Sequence, residues 1–124
     1  MPFIDNTNAP RFEIPGVSFV SIAAPSRGSE ENAVWRTTVE PNTLGLEHQM
    51  TREEIILAIK GKGIIHIGSD QYPLSPGDAF AVPAFTNFRL ASAGDAPFEA
   101  ITVLPVGSHA VVAGKPSFQP PWSI

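Results

Sequence analysis

His48-Gln49-Met50-Thr51-Arg52-Glu53-Glu54-Ile55-Ile56-Leu57-Ala58-Ile59-Lys60-Gly61 is the stretch on which the reading of this chain turns. Thr51-Arg52-Glu53-Glu54 has the form of a helix capping box and would start a short helix over residues 53–62. Against that, residues 55–59 are apolar throughout and offer no polar face for a surface helix. The run is also closed by Gly61 and Gly63 and is too short for a buried helix. It reads instead as a strand buried on both faces. With His48 and Met50 directed inward, a period of two puts Glu54, Ile56 and Ala58 on that same face and Glu53 outside.

Short runs of similar character lie on either side, at residues 17–23, 34–40, 63–67, 79–82, 88–91 and 99–104. Thirteen prolines and ten glycines are spread between them and leave little room for long helices. Pro76-Gly77-Asp78 and Ala93-Gly94-Asp95 read as tight turns, and Gly68-Ser69-Asp70-Gln71 as a hairpin loop. The pattern predicts an all-β antiparallel sandwich or barrel with few or no helices. One domain is expected, in three parts: an N-terminal arm and first strands over 1–33, a barrel core over 34–106, and a tail over 107–124. The arm through Pro15 reads as irregular. The tail's prolines hold it extended, and Phe118 and Trp122 give it anchors for the barrel or for a dimer partner.

Composition narrows the function classes. A chain of 124 residues, 43% hydrophobic and 16% charged, suits one globular core with part of its surface apolar. The net charge is −4 and the basic residues are scattered, which argues against nucleic acid as a partner. No cysteine is present, so disulfides, thiolate nucleophiles and Cys-based metal sites are excluded. No signal peptide or membrane span is visible, and a cytoplasmic protein is expected.

The spacing of His48, Glu54, Gly61, Gly77 and Pro83 resembles the two motifs of the cupin family. In that family, a histidine, a second histidine two positions on, a glutamate and a glycine make the first motif. A glycine, a proline and a third histidine make the second. The resemblance covers roughly residues 34–104. It implies a double-stranded β-helix, or jelly-roll barrel, often a homodimer, with a small-molecule site at its centre. Complete family sites hold a divalent metal (Fe, Mn, Ni, Cu or Zn) on three histidines and the glutamate. Here the second histidine place is Met50 and the third is Phe88, so His48 and Glu54 make at most a partial, weakly binding metal site.

Strand parity makes the expected pocket apolar. Met50, Phe88, Ile56, Leu90 and Trp35 are its candidate walls, with Thr37 beside Trp35 on the opposite wall. His66 is a further candidate, and His109 a less favoured one. A buried imidazole and carboxyl tune each other and suit acid–base chemistry near neutral pH. The leading expectation is isomerisation, cyclisation, dehydration or a lyase reaction on a small apolar organic molecule, with Glu54 as base and His48 as acid or orienting group. Two others stand beside it: a metal-dependent oxygenase, isomerase or lyase with a non-standard site, and a non-catalytic ligand-binding or sensory module.

Overall fold

Burial of every second residue organises the chain. The strand Asn32–Val39 (β3) buries Ala33, Trp35, Thr37 and Val39, and Phe98–Pro105 (β10) buries Phe98, Ala100, Thr102 and Leu104. Glu54–Lys60 (β5) buries Glu54, Ile56 and Ala58. Such a period gives a sheet one core-facing side and one outer side. The capping-box residues Thr51–Glu54 start no helix, because the apolar run behind them is taken up by strand pairing.

The computed structural model describes residues 2–124. The remaining strands are Arg11–Ile14 (β1), Val17–Ala23 (β2), Gln49–Met50 (β4), Gly63–Ile67 (β6), Asp70–Leu74 (β7), Ala79–Val82 (β8), Arg89–Ser92 (β9) and Ala110–Val111 (β11). A six-stranded sheet has the order β1-β2-β3-β10-β5-β8. It is backed by the sheet β7-β6-β9 and the ribbon β11-β4. All the pairings are antiparallel. This is a jelly-roll barrel. Its helical content among the described residues is two single-turn 3-10 segments, Pro25–Arg27 and Pro121–Ser123, and none of its helices is long and apolar enough to cross a membrane.

Two expectations change. Arg11–Ile14, read as part of an irregular arm, is an edge strand paired with β2 from Arg11↔Val20 to Ile14↔Val17. Its side chains are mostly exposed, and the alternation of Phe12 and Ile14 with Arg11 and Glu13 is too short to stand out from the irregular sequence around it. The strand β5 is not buried on both faces: its outward residues Ile55, Leu57 and Ile59 remain 38–39% exposed in the single chain.

The turn after β5 depends on Gly61, which lies at φ +75° with Pro97 and Phe98 packed against its α-carbon side. A methyl group there would press on the Pro97 carbonyl oxygen. Gly77, at φ +97°, faces open space. We expect Gly61→Ala to lower the unfolding free energy by about 2 kcal/mol or more, and Gly77→Ala by clearly less, since only the second avoids a steric clash. Urea denaturation of both variants measures the difference.

Candidate functional site

Residue Glu54 opens β5 opposite Val82 of β8. The parity that buries Ile56 and Ala58 carries its side chain inward, to 5% exposure. Oxygen Oε2 has no hydrogen-bond partner among the described residues, and Glu54 takes part in none of their ion pairs. Burial of an uncompensated carboxyl penalises the charged form, and its pKa is pushed up to about 8. At neutral pH the group is a carboxylic acid.

His48 precedes β4 and is held by the strand segment containing Phe88. Their backbones exchange two hydrogen bonds, His48 N–H to the Phe88 carbonyl at 3.1 Å and Phe88 N–H to the His48 carbonyl at 2.9 Å. The imidazole ring packs on the Phe88 ring with centroids 4.4 Å apart. Its Nδ1 lies 2.8 Å from the Leu46 carbonyl oxygen. A carbonyl oxygen only accepts, so Nδ1 carries the proton and Nε2 keeps its lone pair. Burial lowers the pKa of His48, and the bond to Leu46 opposes the shift without reversing it.

Both side chains border a cavity of about 490 Å³ between the sheets. Met50, Ile56, Phe88, Leu90 and Trp35 form part of its wall, as does Thr37. Trp35 and Thr37 stand in the same sheet as Glu54, with β10 between them, and not on an opposite wall. His66 is not brought to the cavity. On β6 the inward positions are Gly63 and Ile65, so His66 falls on the other side, between Gln71 of β7 and Arg89 of β9. His109 is also outside; its Nδ1 meets the Gly107 carbonyl oxygen at 3.1 Å in the turn before β11.

Several cavity residues carry no motif. Thr102 is the one polar residue in the inward row of β10, a signal that strand parity alone could have found. Trp122, from the tail, stacks on Phe19 of β2 with ring centroids 3.7 Å apart and planes 4° from parallel. The tail is tied down beyond it by the Ser26 hydroxyl, which donates to the Ile124 carbonyl oxygen at 2.6 Å. Leu46 and Phe118, both partly exposed, give the rim an apolar character.

The donor set does not fit a resident divalent cation. His48 and Glu54 are two donors of the required kind, Met50 offers a thioether that Fe, Mn, Ni and Zn bind poorly, and Phe88 offers nothing. Among the described residues no three His, Cys, Asp or Glu side chains come together as a metal-holding group.

The raised pKa of Glu54 has a thermodynamic consequence. Between pH 4.5, its ordinary value, and about 8, the folded protein holds a proton that the unfolded chain releases. Glu54 therefore contributes stability that is fully present below pH 4.5 and is lost as pH rises through 8. Wild-type protein should lose more stability than Glu54→Gln between pH 5 and pH 9, by on the order of a few kcal/mol. Parallel urea titrations check this, and the contribution of His48 cancels in the comparison.

A protein-family profile described as "Cupin domain" matches residues 35–104. Auxin-binding protein 5 of Zea mays is 33% identical over 73 residues, which are 58% of this chain and 48% of that protein. The chain thus spans about half or less of the length of the curated relatives it matches. The polyketide cyclase RemF from Streptomyces resistomycificus superimposes with a TM-score of 0.80 at 13% identity, over 94% of this chain and 87% of that one. A sugar phosphate isomerase of the cupin superfamily from Silicibacter pomeroyi gives 0.75 at 20% identity, over 92% and 83%. These structures share the fold. The strand order, the residues His48, Glu54, Gly61, Gly77 and Pro83 in register, and the profile match over more than half the chain lead to one conclusion: this chain belongs to the cupin family.

Proposed function

We propose that the protein is a metal-independent acid–base enzyme acting next to a carbonyl group in a small apolar organic molecule, by isomerisation, cyclisation or dehydration. The observation that carries this reading is Glu54, a carboxyl buried without a partner on the wall of an apolar cavity that is also lined by His48, whose Nε2 keeps its lone pair. The roles run opposite to the sequence-based expectation. Glu54, neutral at pH 7, donates its proton to the substrate carbonyl oxygen. His48, neutral with its proton on Nδ1, accepts a proton from the adjacent carbon at Nε2. The enol so formed is uncharged, while Glu54 is left as a carboxylate and His48 as an imidazolium, an oppositely charged pair that is neutralised when the protons return.

The wall discriminates between the chemistries of the similar folds. The charged residues bordering the cavity are Glu13, Glu54 and Lys115, with no arginine. Glu13 is already paired with Arg11 at 2.9 Å. A phosphate group would find one lysine at the edge and a buried acid inside, whereas a polyketide-like ring ketone finds apolar surface and a hydrogen-bond donor. Proton exchange at the α-carbon of 2-tetralone in heavy water, followed by NMR, tests the reading. Wild-type protein should catalyse exchange, and Glu54→Gln and His48→Ala should each reduce the rate roughly 10²–10⁴-fold. Equal rates in wild type and both variants would sink it. Binding of 2-tetralone without exchange would favour a ligand-binding module instead.

A second copy of the chain belongs to the same reading. On the outer face of the large sheet, Ile55 lies between Val103 and Ala81, and Leu57 between Ile101 and Ala79. Two adjacent apolar rows on the outer face of a sheet are a surface that association would cover. Sedimentation velocity should show a dimer for wild type and a monomer for Leu57→Glu; a wild-type monomer at micromolar concentration would count against the pairing.

A further inference from the structure

Two hydroxyl groups on the cavity wall are not used by the acid–base pair. Thr37 on β3 and Thr102 on β10 are 4% and 2% exposed, and both border the cavity. Their neighbours in the inward rows are apolar, Trp35 and Val39 on one strand and Ala100 and Leu104 on the other. A hydroxyl at such a position costs free energy unless it is hydrogen-bonded. The two oxygens are 3.3 Å apart, and Trp35 Nε1 donates to Thr37 Oγ1 at 3.0 Å.

Counting protons shows what is missing. The trio carries three polar hydrogens: one on the indole and one on each threonine. The indole hydrogen goes to Thr37. Only one of the two hydroxyl hydrogens can lie on the line between the threonines. The other has no acceptor among the described residues, whichever threonine carries it. This leaves one unpaired O–H donor on the cavity wall.

Register places that donor relative to Glu54. Thr102 is opposite Ile56 of β5, two residues beyond Glu54, and Thr37 is opposite Ala100, two residues before Thr102. Glu54, Thr102 and Thr37 thus follow one oblique line across three strands. Each diagonal step is about 7–8 Å, so a donor at each end of the first step spans about one fused ring.

We propose that Thr37 and Thr102 form a second hydrogen-bonding subsite, which donates to an oxygen acceptor of the ligand and selects ring compounds with two oxygen functions about one ring apart. The proposal rests on the acid–base reading for the first oxygen, held at Glu54 and His48, and adds the second. Apolar molecules with a single carbonyl then bind less well, because they leave the threonine proton unpaired.

Titration calorimetry with 1,4-naphthoquinone, 2-tetralone and naphthalene tests it; the chain has no cysteine for the quinone to alkylate. Wild-type affinity should fall in that order. The double variant Thr37→Val/Thr102→Val should bind naphthoquinone about five- to tenfold more weakly and naphthalene unchanged. Because this variant also leaves Trp35 Nε1 without its partner, Thr37→Ser/Thr102→Ser is the companion: it keeps both hydroxyls and should retain the wild-type order. The proposal is overturned if wild type does not bind naphthoquinone, if the valine variant keeps the full preference for it, or if the serine variant loses that preference equally. Glu54→Leu separates the two readings. Weaker naphthoquinone binding in Glu54→Leu but not in the valine variant overturns the threonine subsite and leaves the acid–base reading standing. The reverse supports the subsite and counts against that reading.

Discussion

A carboxyl group with no partner for its inner oxygen, facing an apolar wall, sets the character of the whole interior. Its position is imposed by the strand. Turning Glu54 outward would require β5 to slip by one residue, which would expose Ile56 and Ala58 and bring Ile55 and Leu57 into the core. The register of β5 against β10 and β8 fixes that choice many times over. What adjusts is the proton: the group keeps it, and the cavity stays free of a buried charge. His48 complies in the same way, with its Nδ1 proton held by Leu46 and its basic nitrogen uncharged.

Everything around the pair favours that neutral state. Phe88 stands where a third histidine would complete a metal site, and it both packs on the His48 ring and pairs with its backbone. Met50 and Phe88 are almost wholly buried, so they act as wall and not as vacant ligand positions. The tail brings Trp122 onto Phe19 and completes the enclosure from a part of the chain far from either motif. A site arranged in this way binds through apolar contact and directs a few polar atoms at fixed points, which is how small-molecule pockets combine affinity with orientation.

Much of this was legible in the amino-acid sequence, because strand parity is a local rule. The inward positions of Glu54, Ile56 and Ala58 follow from an alternation of two, and the strands around 17–23, 63–67 and 79–82 from short apolar or β-branched runs set between turn residues. Where the signal is not local, it fails. β1 is a mostly exposed edge strand of four residues, and its pairing with β2, not its short polar–apolar pattern, marks it as a strand. The placing of Trp35 and Thr37 beside Glu54 depends on β10 being inserted between β3 and β5, a non-sequential pairing. His66 has neighbours like those of any half-buried strand residue, and only the register of β6 shows which way it faces. The protonation states were least legible of all. The sequence suggests Glu54 as the base and His48 as the acid or orienting group, whereas burial without partners favours the opposite assignment.

Whether Glu54 holds its proton at neutral pH decides the character of the site. Carbon-13 NMR of protein labelled at the glutamate side-chain carboxyl carbon, with Glu54→Gln used to assign the resonance, reads this directly. The account predicts a single Glu54 titration with its midpoint near pH 8, well above the other glutamates. A midpoint at or below the ordinary value of 4.5 would show an ionised carboxylate in the cavity and would contradict it.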